Sequence, residues 1–436
     1  MDTTTSLFMI GITIILGILA QYNFRKTKIP DVLVLIAAGA TFSHLGLAEG
    51  IKENTSQITF LITFSLIYVV FYGALPIKLR ALFSTMKYSF FSSLFNFILI
   101  TLLLGTISHY LLGFRWLLAL SLGALFCVLD GTIINSILET IKLSPKAEAQ
   151  IQSESAIIDI LVIVGILSIL NFSTMAMNEI TQSLTSYLFL SFGIGIIVAI
   201  IWAFALKHIG DYSSAPVATM AVLVTLYAFA EYVEANGVIT VFFFSIMLGN
   251  AGLWSKLLYK EQKEDVGLIE LETKHFFKDI SFLIRTFLFV YLGILVDFSQ
   301  WIYLLYGLVF FLTAYTLRAL VVRRLINHDL EEKDEHFLEA MCAKGLTPTV
   351  MLAVIQANAI FTNIVIGGIF SSILITSILI FLIDKNKFTS ISEIIYKKLG
   401  KHKNSPRNRE EDKEKEEETH EPNSFAKDIK IISKAV

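Results

Sequence analysis

The sequence predicts an all-α, polytopic membrane protein with a charged tail, and three observations carry that prediction. Of 436 residues, 55% are hydrophobic and only 17% are charged, against about a quarter charged in ordinary soluble domains. Apolar runs of roughly 18 residues or more, the length a helix needs to cross a bilayer, recur from end to end. The lysines and arginines between those runs fall almost entirely in alternate loops, the asymmetry that marks cytoplasmic loops. A net charge of −2 leaves no basic surface to recruit nucleic acid. The two cysteines, Cys127 and Cys342, both lie in apolar segments and build neither a disulfide framework nor a thiolate metal site.

Thirteen candidate spans follow in order, near 6–23, 30–47, 57–75, 88–111, 116–138, 151–171, 184–206, 215–234, 237–254, 280–296, 301–322, 336–356 and 359–383. The first lacks the basic leader of a cleavable signal, since Asp2 and a threonine run precede it and Arg25, Lys26 and Lys28 follow it, so it is expected to be retained. Loops after odd-numbered spans carry 17 Lys or Arg residues; loops after even-numbered spans carry only Lys52 and Arg115. The N-terminus is therefore expected outside and the C-terminus in the cytoplasm. Residues 1–384 form the transmembrane domain in this scheme, and 385–436, with the run Arg409 to Glu418, form a charged cytoplasmic tail.

Two spans are predicted to break. The fifth holds Asp130 followed by Gly131 in mid-span, and the twelfth holds Lys344-Gly345-Leu346-Thr347-Pro348, where proline cannot donate its helical hydrogen bond. Interrupted spans in corresponding halves point to a secondary transporter's site near the membrane midplane. Spans 5 and 12 correspond if spans 1–6 and 8–13 are two inverted six-helix repeats joined by span 7.

A charge at the bilayer centre costs at least ~2.5–3.5 kcal/mol, so intramembrane ionisable residues are functional candidates. Asp130, Glu154, Asp159, Arg285 and Lys344 lie well inside spans, whereas Glu231, Glu234, Asp297, Arg318 and Glu339 lie nearer the ends, where interfacial solvation is expected. At ~100° per residue Ser155 and Asp159 share a helix face, while Glu154 lies ~140° from Asp159. Asp159 with Ser155 suits a small hard cation or a proton. Glu154 is expected to neutralise a buried base, with Lys344 the obvious partner, and the histidines at span ends are expected to be solvated. No phosphate loop, metal cluster or hydrolase triad appears, so neither an enzyme nor a cofactor is expected.

These residues resemble the monovalent cation:proton antiporter family, most closely sodium/proton exchangers of the prokaryotic NhaP type. The resemblance rests on Arg25-Lys-Thr-Lys-Ile-Pro30 and on Glu154-Ser155-x-x-Ile158-Asp159, similar to the family's Glu-Ser-x-x-Asn-Asp. It extends through Ala230-Glu231, Gly237-Val238 and Gly249-Asn250, through Phe282 to Gly293 around Arg285, and through Lys344-Gly345-Leu346 with Ala353. It implies a homodimer in the plasma membrane, with dimerisation helices 1–3 and 8–10 and a core of helices 4–6 and 11–13. Helices 5 and 12 would be broken and crossed beside a cation/proton site of Asp159, Ser155, Asp130 and the Leu129 carbonyl. Glu154, Lys344 and Arg285 would be structural or gating charges. Asp159 would hold cation and proton in turn as access alternates, and Ile158 in place of a second aspartate predicts electroneutral exchange.

Three positions depart from the family's pattern. Leu129 stands where relatives have threonine, Ile158 where they have asparagine, and Phe71-Tyr72-Gly73 where they often have an acidic residue. All three make the pocket less polar. Sodium/proton exchange is the expected function, with potassium/proton exchange or a transport-deficient membrane sensor of the same fold as alternatives.

Overall fold

The computed structural model describes residues 3–27, 31–47, 55–75, 79–138, 141, 143–172, 177–209, 214–252, 271–325, 330–355 and 357–384. The expected tail at 385–436 lies outside the described residues, as do Lys28, Lys52, Lys78, Lys142, Lys256, Lys260 and Lys263 of the loops that orient the chain. Among the described residues the secondary structure is entirely helical. In order the helices are α1 (Thr3–Thr27), α2 (Asp31–His44), α3 (Thr55–Ala74), α4 (Leu79–Leu112), α5 (Trp116–Leu125), α6 (Gly131–Leu138), α7 (Pro145–Phe172) and α8 (Met177–Ile209). There follow α9 (Ala215–Tyr232), α10 (Gly237–Gly249), α11 (Leu271–Leu295), a 3₁₀ turn Phe298–Gln300, α12 (Trp301–Leu325), α13 (Glu332–Ala340), α14 (Leu346–Ile355) and α15 (Ala359–Asp384).

Among the described residues six segments are long and apolar enough to cross a membrane unaided, in α4, α7, α8, α9, α12 and α15. Shorter apolar stretches occur in α1, α2, α3, α5, α10 and α14. The sequence-based count of thirteen treats all of these as crossing segments, several too short to span the bilayer alone.

The helix ends follow local chemistry. Ser144 Oγ accepts from Ala147 N–H (3.3 Å) ahead of Pro145, and Asn236 Oδ1 accepts from Ile239 N–H (3.0 Å) at the start of α10; both satisfy first-turn donors that lack helical partners. The expected interruptions occur. α5 stops at Leu125 and α6 resumes at Gly131, while α13 stops at Ala340 and α14 resumes at Leu346. Pro348 sits inside the first turn of α14 rather than in the gap, a position where its missing N–H costs nothing.

Close helix pairs hold the molecule together. α2 packs on α11 where Gly39 faces Gly293, and α12 packs on α15 where Gly307 faces Gly367; a Cβ on any of these four would overlap the opposing backbone. α4 lies against α5, α7 and α12, and α10 lies against α3, α8 and α9. α14 reaches across both groups, touching α7 on one side and α3 and α11 on the other.

Candidate cation site where two helix breaks meet

The two interruptions touch. Asp130 N–H donates to the Ala343 carbonyl (2.9 Å) and Leu346 N–H donates to Asp130 Oδ2 (2.6 Å). Asp130 Oδ1 accepts from Ile133 N–H (2.9 Å). One carboxylate thus caps the N-termini of both α6 and α14, the ends where N–H groups lack helical partners and the dipole is positive. Gly345 makes this possible, because a Cβ there would overlap the Asp130 carboxylate.

The two C-terminal ends at the breaks face cations. Lys344 Nζ donates to the Val128 carbonyl (3.2 Å), just beyond α5, and stands 5.9 Å from the Phe311 ring centre. Arg318 donates through Nε to the Met341 carbonyl (2.8 Å) and through Nη2 to the Leu338 carbonyl (3.0 Å), at the end of α13. The same guanidinium pairs with Glu154, Nη1 with Oε1 and Nη2 with Oε2 (3.3 Å). Ser92 Oγ (3.0 Å) and Asn96 Nδ2 (3.4 Å) from α4 complete the shell around Glu154 Oε1.

The geometry corrects three expectations. Glu154 pairs with Arg318, not with Lys344, and Arg318 is 2% exposed rather than solvated at a helix end. The reason is geometric: Lys344 lies in the break and reaches the opposite break, whereas the planar guanidinium fork of Arg318 matches a carboxylate and still reaches two carbonyls. Glu339 is also buried, with Arg323 at 3.9 Å. Glu231, Glu234 and Asp297 remain at helix ends as expected, Glu231 accepting from Gly237 N–H (2.7 Å) and Asp297 from Ser299 N–H (2.9 Å). Arg285 binds Asp31 (2.9 Å), joining α11 to α2 rather than standing at the breaks.

Ser155 Oγ donates to the Leu129 carbonyl (2.8 Å), so α7 and the first break present two of the expected oxygens side by side. One turn further along α7, Asp159 lines a cavity of about 400 Å³ walled by residues of α3, α4, α7, α10 and α14. Its Oδ1 is enclosed and has no hydrogen-bond partner. Thr347, in the first turn of α14, lines the same cavity as the neighbouring side chain that faces the carboxylate. Among the described lining residues only Asp159 and Thr347 carry a polar side chain; the rest, including Val70, Phe97, Ile163, Val238, Phe242 and Phe243, are apolar or glycine.

Of the departures noted in the sequence, Gly73 lines this space, with nothing within 4 Å of where its Cβ would stand. Ile158 and Phe71 are fully buried, and Tyr72 stacks on Tyr68 (5.8 Å between centres). Among the described residues no group of three or more His, Cys, Asp or Glu side chains could hold a resident metal. A single carboxylate with neutral oxygens suits a monovalent cargo better than a divalent ion, which takes several charged oxygens. The sequence singled out neither Thr347 nor Arg318, Ser92 and Asn96 as site residues. A buried partner for Glu154 was the missing signal, and Arg318, just upstream of Arg323-Arg324, looks like the edge of a basic loop.

The fold is that of known exchangers. The sodium proton antiporter MjNhaP1 from Methanocaldococcus jannaschii, in its structure at pH 8, superposes with a TM-score of 0.71 at 20% identity over 89% of this chain and 98% of that one. An electron-microscopy map of the same antiporter gives 0.68 at 19% identity. In sequence, the chain is 21% identical over 359 residues to the K(+)/H(+) antiporter NhaP of Alkalimonas amylolytica, covering 79% of this chain and 59% of that protein's length. A 121-residue stretch is 33% identical to sodium/hydrogen exchanger 2 of Arabidopsis thaliana, 20% of the length of that relative. The transmembrane sodium/hydrogen exchanger family model matches residues 11–385, and the chain belongs to that family of integral, multi-pass membrane transporters rather than to any class of enzyme.

Proposed function

We propose that the chain is a secondary active antiporter exchanging one monovalent cation, sodium first, for one proton at Asp159. The observation that carries this is a charge balance. At the breaks Glu154 pairs with Arg318, while Asp130 and Lys344 are each held by hydrogen bonds to the backbone of the opposite break. Asp159 is left over: no basic side chain among the described residues pairs with it, and one of its oxygens lacks any partner. A buried carboxylate must be neutralised, and here the neutralising charge comes from outside the protein, as a proton or a cation but never both. That competition couples the two flows and makes the exchange electroneutral.

In this scheme Asp159 carries cation and proton in turn, with Ser155 Oγ and the Leu129 carbonyl as further oxygens. Asp130 holds the two breaks in register beside the site; Glu154, Lys344 and Arg285 fix the surrounding helices. The thirteen spans form two inverted six-helix repeats with the fifth and twelfth crossing at their breaks. Spans 1–3 and 8–10 build a dimerisation scaffold for a homodimer, and spans 4–6 and 11–13 a core that moves against it. The N-terminus faces outside and the C-terminus the cytoplasm, in the plasma membrane. Potassium is the second reading, favoured by the apolar cavity lining around Asp159, which stabilises a strongly hydrated ion less.

The test is cation-driven pH change in proteoliposomes with sodium, lithium and potassium, run beside Asp159→Asn. Exchange by the parent, its loss in the variant and the absence of a transport current support the scheme. A current scaling with membrane potential refutes one-for-one exchange, and an Asp159→Asn protein that behaves like the parent refutes the site.

A further inference from the structure

Two threonines stand two residues apart in the first turn of α14, and their hydroxyls have different fates. Thr349 Oγ1 donates back to the Gly345 carbonyl (2.7 Å), a local bond that helical threonines commonly make. Thr347 is 3% exposed and has no such backbone bond among those observed; it lines the cavity and faces the Asp159 carboxylate. Its position is fixed from both sides. Leu346 N–H is held by Asp130 Oδ2 (2.6 Å) and Pro348 follows with a fixed φ, so the first turn of α14 cannot rotate without breaking the cap that ties the two helix breaks together.

Position 129, on the opposing break, contributes a carbonyl but no hydroxyl, because its side chain is leucine. The Leu129 carbonyl already accepts from Ser155 (2.8 Å). A cation at Asp159 therefore has one anionic oxygen, the Ser155 hydroxyl and a shared carbonyl on one side, and hydrocarbon on most of the other. Thr347 is the one further polar side chain among the described residues of the cavity wall. We propose that Thr347 is a cation ligand and specificity-determining residue of this antiporter, its hydroxyl supplying from the second helix break the oxygen that Leu129 cannot supply from the first. A hydroxyl carries one donor and two acceptor lone pairs. It can donate to the empty carboxylate and turn a lone pair to the cation when one is bound.

This inference rests on exchange at Asp159 and is tested by two readouts on the full chain, exchange kinetics in proteoliposomes and cation-induced thermal shift in detergent. Thr347→Val keeps shape and removes the oxygen; Thr347→Ser keeps the oxygen. Expected for Thr347→Val is a rise of about tenfold in the apparent KM for the preferred cation, the scale of one hydrogen-bond-strength contact to a charge. The ratio of sodium to potassium KM changes with it, and maximal rate stays within about twofold. Thr347→Ser should restore both the KM and the ratio. A Thr347→Val protein with parental KM, ion order and cation-induced shift overturns the proposal, as does a Thr347→Ser protein that fails to restore them. A parent that moves no cation overturns the antiporter scheme instead, and the loss or retention of the thermal shift in Thr347→Val still decides the role of the hydroxyl.

Discussion

Glu154 and Asp159 are five residues apart on the same helix and have opposite surroundings. Glu154 is 1% exposed and receives hydrogen bonds from Arg318, Ser92 and Asn96. Asp159 faces a mostly apolar cavity with an oxygen that has no partner. Roughly 140° of rotation about the helix axis separates a charge saturated by the scaffold from one that has no counter-charge among the described residues. A carboxylate in a membrane protein is therefore interpreted by what surrounds it, and the saturated one marks architecture.

That contrast can be broken by mutation. The largest effect on stability is expected at the saturated pair: Arg318→Met leaves Glu154 buried without a counter-charge, costing about 3–5 kcal/mol, and also frees the Leu338 and Met341 carbonyls. Unfolding in detergent followed by fluorescence checks it, and a small shift there removes the distinction between the two carboxylates. Next is Gly345→Ala, whose methyl would collide with the Asp130 carboxylate. Overpacking of this kind costs roughly 1–3 kcal/mol, and exchange should fall by more than the loss of folded protein explains. Asp159→Asn should abolish exchange while stability stays within about 1 kcal/mol or rises, since it removes a charge with no partner. The smallest change in stability is expected for Gly73→Glu. Gly73 is exposed at the cavity wall with open space for a side chain, so folding should shift by only about 0.5 kcal/mol. Voltage-clamped or ionophore-controlled vesicles would then report whether a second carboxylate in the cavity turns silent exchange into a measurable current.

The helix breaks at 126–130 and 341–345 were legible in the sequence because Asp130-Gly131 and Gly345 through Pro348 interrupt apolar runs with residues that cap or terminate helices. That Ser155 and Asp159 share one face of α7 was legible from helical periodicity. The partner of Glu154 was not. Choosing between Lys344 and Arg318 depends on which helix crosses α7 at that depth, a tertiary fact separated from Glu154 by 164 residues of chain. Nor does periodicity say which of Thr347 and Thr349 bonds its own helix, since the direction of a hydroxyl is decided by the neighbouring break. The apolar helices α2, α10 and α14 are shorter than a bilayer requires, and the sequence located them because their boundaries carry charge, glycine or proline.

The bonds between the two breaks also set a schedule for biogenesis. Asp130 and Leu346 are 216 residues apart, so when the first break leaves the ribosome its partner does not yet exist. At about 5–20 residues per second the wait is roughly 10–40 s. During that interval an acid and open backbone groups are in or beside lipid, where unsatisfied polar groups are costly. The nascent first half must therefore shelter against the insertion machinery, water or a chaperone until α14 arrives, and a ribosome stalled between the two breaks would leave a chain that the membrane's quality control can recognise.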